Sequence, residues 1–111
     1  MSAKHLERLR LAMAECHRAY QDYMAGGKTL GFARVIKQRN VDVLASAIDA
    51  MEAADGAQRD DLEALVRHVK SWTAQWDEFY DSRDNWSDAD AFVFQTRVPF
   101  PRTEMDRLFG A

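Results

Sequence analysis

Three stretches of this chain repeat apolar residues at alternating spacings of three and four, and that pattern constrains the fold more than any other feature. In the first, Leu6, Leu9, Met13, Cys16, Tyr20 and Tyr23 form an unbroken heptad seam. In the third, Leu62, Leu65, Val69, Trp72, Trp76, Phe79 and Trp86 do the same, with Arg83 in one polar slot. Such seams mark helices laid against one another at a shallow angle.

The second stretch is less regular. Val41, Leu44, Ile48 and Met51 repeat at 3, 4 and 3, backed by Ala45, Ala47 and Ala50, whereas Phe32, Val35 and Ile36 lie on another stripe. The mismatch around Lys37–Asn40 predicts a kink or short break. Gly26-Gly27 and Asp55-Gly56 separate the three stretches, and Ser2 and Thr29 are candidate N-caps. Asp60 and Asp61 fall in the expected first turn of the third helix, where carboxylates suit the helix dipole.

Past residue 86 the period changes. Ser87 with Asp90 resembles a capping pair, and then Phe92, Phe94, Thr96, Val98 and Phe100 alternate with Val93, Gln95, Arg97 and Pro99. Period two predicts an extended arm, kept out of a helix at its end by Pro99 and Pro101. A short helix capped by Thr103 and closed by Gly110 should follow. The expected fold is therefore all-α: an antiparallel three-helix bundle with an extended C-terminal arm and a short terminal helix. Its helices should cover about residues 2–25, 29–54 and 58–86, the arm about 91–101 and the last helix about 103–109. The 111 residues read as a single domain, with no internal repeat.

Composition narrows the chemistry. Cys16 is the only cysteine, so neither an internal disulfide nor a cysteine-rich zinc site can form. Cys16 and His17 are adjacent and point about 100° apart on a helix, which does not make a nucleophile–base pair. His5, His17 and His68 form no ligand pair on one helix face and read as surface residues. Gly26-Gly27-Lys28-Thr29 resembles the end of a phosphate loop, but Asp22 stands where the first glycine belongs and a helix precedes it. The acidic run of Asp77, Glu78, Asp81, Asp84, Asp88 and Asp90 contains no glycine, which excludes an EF-hand loop. No enzyme, metal or cofactor is expected. The N-terminus lacks the apolar run of a signal peptide and no segment is long enough to span a membrane, so a cytoplasmic protein of bacterial or phage character is expected.

Charge is split along the chain. Residues 1–40 carry eight Lys/Arg against three carboxylates, and residues 41–111 carry seven against fifteen. The halves can neutralise each other within the fold, or head-to-tail in a homodimer. Lys28, Arg34, Lys37 and Arg39 form a basic cluster at the head of the second helix that could hold an anion or phosphates. A sequence pI near 5.5 speaks against a dedicated nucleic-acid binder.

The aromatic residues are the main candidates for binding. Trp72, Trp76, Tyr80, Trp86, Phe92, Phe94 and Phe100 crowd the C-terminal half beside Asp77, Asp81 and Asp84. Either they fill the wide end of the bundle and dock the arm, or some stay exposed as a partner anchor. An isolated arm would also seek water, a dimer mate or a partner's sheet edge for its backbone groups. The expected function is a non-enzymatic protein-interaction module of adaptor, chaperone, immunity or inhibitor type. Alternatives are a nucleic-acid-associated regulator using the basic half, or a small-molecule binder with a pocket between Trp72, Trp76 and the first helix.

Overall fold

The computed structural model describes residues 3–81 and 96–110, apart from the side chain of Phe79. Four helices make up the fold: α1 (Ala3–Ala25), α2 (Leu30–Glu52), α3 (Gly56–Asp81) and α4 (Arg102–Phe109). The first three run antiparallel to their neighbours. Arg8 meets Asp49 and Cys16 meets Asn40 between α1 and α2, while Asn40 meets Trp72 and Lys37 meets Asp81 between α2 and α3. The molecule measures 45 × 22 × 20 Å. Ser2, Ser87, Asp90 and the expected end of the third helix at residue 86 lie outside the described residues.

The seams of α1 and α3 form the core as their spacing predicts. Leu9, Met13, Cys16 and Tyr23 are buried on α1, as are Leu62, Leu65, Val69, Trp72 and Trp76 on α3. The α2 stripe is different. Val41 is 65% exposed, and Leu44, Ile48 and Met51 are only half-buried. The inner face of α2 is instead Ala33, Ile36, Asn40, Val43, Ala47 and Ala50, at spacings of 3, 4, 3, 4 and 3. No break occurs at Lys37–Asn40, because Asn40 continues this seam and the helix runs on from Leu30 to Glu52.

Small residues on α2 shape the whole bundle. They let both α1 and α3 approach α2 closely, whereas α1 and α3 bring no pair of Cα atoms within 8 Å of each other. The gap is filled by rings. Tyr20 stands edge-on to Trp72 at 5.3 Å and Tyr23 edge-on to Trp76 at 5.2 Å, the geometry that aromatic quadrupoles favour.

Gly26 is required at the first turn by close approach. A Cβ there would clash with the Phe32 ring, its Cζ at 2.7 Å, and would lie 2.8 Å from the Asp22 carbonyl oxygen. Gly27, at φ 88°, and Lys28, at φ 57°, supply the left-handed turn. Thr29 occupies the N-cap position of α2 without a side-chain capping bond. Because α3 already begins at Gly56, Asp60 and Asp61 sit beyond its first turn rather than in it. Likewise α4 begins at Arg102, with Pro101 and not Thr103 in the N-cap position, and Gly110 at φ 83° closes it.

The ion pairs Arg8–Asp49 at 2.9 Å and Lys37–Asp81 at 2.7 Å join the basic half of the sequence to the acidic half. Both lie at the surface, where such pairs contribute little to stability.

Candidate functional site

The most constructed feature of the molecule is the wedge between α1 and α3, and the non-helical residues 96–101 occupy it. These residues form no strand: the chain bends at Arg97 and Val98. Pro101 then sits at φ −75°, ψ 64° while the Arg102 N–H donates to the Phe100 carbonyl at 2.8 Å. That is an inverse γ-turn, and it leads directly into α4.

Gln75 holds the start of the segment. Its side chain is 5% exposed, and its Oε1 accepts from the backbone N–H groups of Arg97 (3.1 Å) and Val98 (3.0 Å). Its Nε2 donates to the Val98 carbonyl at 2.6 Å. One buried amide thus replaces the strand partner that an isolated arm would lack, and no dimer mate or foreign sheet edge is needed at these positions.

His68 holds the middle. Its Nε2 lies 2.8 Å from the Pro99 carbonyl oxygen and its Nδ1 3.1 Å from Glu104 Oε1. Both neighbours are acceptors, and the tautomer of the ring decides which nitrogen donates. Burial favours the neutral form of Glu104, but the hydrogen bond from His68, a backbone hydrogen bond at Glu104 and the electrostatic pull of His68 and then Arg107 together outweigh it. Its carboxyl therefore titrates below the ordinary range.

Phe100 and Pro101 fill the slot itself. Phe100 is 9% exposed, edge-on to Trp72 at 5.5 Å and 5.0 Å from the His17 ring. Arg102 reaches back to donate to His17 Nε2 at 3.3 Å, which requires a neutral imidazole. Burial, with Arg102 beside it, lowers the His17 pKa. Thus His17 and His68 are not idle surface histidines; both contact the C-terminal segment.

Beneath the slot lies a polar node. Asn40 Oδ1 accepts from Trp72 Nε1 at 2.8 Å and from the Cys16 thiol at 3.3 Å, joining all three long helices, while Asn40 Nδ2 has no hydrogen-bond partner. Burial pushes the Cys16 thiol to about 12, so it is an unreactive part of the core.

The sequence-selected residues divide into three groups. Trp72, Trp76 and Phe100 are interior and offer no exposed anchor in this arrangement. Tyr20, Tyr23 and Phe100 take up the space between the tryptophans and α1 where a small-molecule pocket was expected. Tyr80, Asp77 and Asp81 come together with Arg34 and Lys37 on the α2–α3 face. There Lys37 Nζ lies 4.5 Å above the Tyr80 ring and Arg34 5.8 Å from it, beside the exposed Val41 in a shallow hollow of about 330 Å³. The hydrogen bond to Asp81 raises the Lys37 pKa, and burial raises that of Asp77. Arg39 faces the other way, into an α1–α2 groove of about 500 Å³ with Arg8, Leu11 and Asp42, so the basic cluster does not act as one patch. Lys28 sits in the first turn. Trp86, Phe92, Phe94 and Asp84 lie outside the described residues.

Sequence reasoning missed Gln75, His68 and His17. A signal for Gln75 did exist: a polar residue flanking Trp72 and Trp76 on a core-facing helix needs buried partners, and a Pro-rich segment needs donors and acceptors of its own.

Among the described residues there is no metal-binding group of His, Cys, Asp or Glu, and no helix is long and apolar enough to cross a membrane. No protein-family model, curated protein or solved structure matches the chain.

Proposed function

We propose that this chain is a non-enzymatic helical protein-interaction module whose principal binding surface is the aromatic wedge between α1 and α3. The observation that carries this reading is how that wedge holds residues 96–101. Gln75 and His68 read backbone groups, and a ring-lined slot takes one aromatic side chain. Backbone hydrogen bonding plus a side-chain pocket is the general means by which proteins recognise peptide segments. The inert thiol of Cys16 and the structural engagement of both described core-side histidines support a non-enzymatic role. A cytoplasmic location belongs to the same proposal. The nucleic-acid alternative draws less support, because Lys37 already pairs with Asp81.

Selection of a random displayed-peptide library on the immobilised 111-residue chain tests the reading. The variant Phe100→Ala, with its slot vacated, should enrich a sequence consensus at least tenfold over wild type, and adding Gln75→Ala should abolish it. No consensus with either protein would overturn the proposal.

A further inference from the structure

We infer that the α1–α3 wedge is a binding site for a non-helical peptide segment carrying an aromatic residue between two prolines, supplied by a partner protein. The chain's own Val98-Pro99-Phe100-Pro101 occupies the site as a built-in competitor. This inference rests on the interaction-module reading and specifies its ligand.

Each part of the site matches one part of that ligand. The Gln75 amide is nine-tenths buried and meets three backbone groups, a contact that any sequence satisfies except proline at the two donating positions. His68 meets the carbonyl of Pro99. A proline there has no N–H to satisfy, so the segment loses no hydrogen bond by carrying one. The slot formed by Trp72 and His17 admits a ring edge-on to the indole and tilted against the imidazole. Pro101, almost fully buried, holds the φ that the inverse γ-turn requires. The ligand rule is therefore an aromatic side chain with a proline on each side and free backbone N–H groups two and three residues before it.

The covalent connection explains why the site is filled in cis. A tethered segment acts at an effective concentration in the millimolar range, so a free segment of the same sequence competes poorly until the tether's hold is weakened. A second copy of the chain gains no contact that the cis segment lacks. That equality favours a partner over self-exchange.

The test uses a fluorescein-labelled peptide of residues 96–110 and the whole 111-residue chain, read by fluorescence anisotropy. Phe100→Ala should bind this peptide at least tenfold more tightly than wild type. Glu104→Gln, which weakens the His68 hold on α4 and leaves every ring in place, serves as a second opened variant in case Phe100→Ala loses helicity by circular dichroism. Binding should vanish when Gln75→Ala is added, or when the peptide carries alanine in place of its own phenylalanine. Absence of binding to both opened variants at wild-type helicity would overturn the inference, and so would binding indifferent to Gln75 or to that ring. A wild-type dimer that the peptide dissociates, seen by light scattering, would assign the site to a second copy and overturn the choice of partner. If the peptide library enriches a different consensus while this peptide fails, the ligand rule falls and the interaction module stands. If neither binds, both fall.

Discussion

At Asn40 three helices share one acceptor. The Trp72 N–H and the Cys16 thiol converge on Oδ1, so the side chain fixes the register of α1, α2 and α3 at a single level of the core. Buried polar side chains in helical seams commonly act this way. Asn40→Leu restores apolar volume but orphans the Trp72 N–H, and an orphaned buried donor costs about 1–3 kcal/mol. Denaturant unfolding should show a loss of that size. In the background of Trp72→Phe, which removes the donor, the same substitution should cost markedly less. Additive losses in this double-mutant cycle would mean that the hydrogen bond does not couple the helices.

Among the elements, α2 and the segment 96–101 behave least as their sequences suggest. Apolar size misleads on α2: Val41 is larger than Ala47 or Ala50, yet it lies outside while they are buried. Close approach of two neighbouring helices selects small residues for the inner face, and hydrophobic periodicity alone does not weigh that. The segment 96–101 depends on Gln75 in the same non-local way. Gln75→Ala removes three hydrogen bonds to Arg97 and Val98 and leaves the heptad seams untouched. Amide exchange at residues 97 and 98 should accelerate roughly tenfold or more, in line with about 1–3 kcal/mol for unsatisfied buried groups. Helical content of α1–α3 should stay constant. Unchanged exchange would show that Phe100 and Pro101 suffice to hold the segment.

For the molecule as a whole, docking of the C-terminal segment is linked to protons. His17 titrates below the ordinary 6.5 when folded, with Arg102 facing it. Its contribution is therefore fully present above pH 6.5 and is lost as pH falls through the folded value. Glu104 titrates below the ordinary 4.5, facing His68 and Arg107, so its contribution is present above pH 4.5 and is lost on further acidification. Both effects have the same sign. Between pH 7 and pH 4, residues 96–110 should loosen before the bundle unfolds, visible as loss of NMR signals specific to that segment while far-ultraviolet circular dichroism persists. Docking unchanged down to pH 4 would refute the linkage.

The sequence by itself determined the helical class, the two strong seams and the turns between them, because glycine placement and apolar spacing act locally along each helix. It also placed a change of structure past the third helix, since proline is incompatible with a helix interior. Only the tertiary structure decided which face of α2 is buried, where α1 and α3 part, and which buried amide captures the C-terminal segment. Those outcomes depend on the fit of rings against small residues and on hydrogen bonds between groups more than twenty positions apart. Neither leaves a periodic trace in the chain.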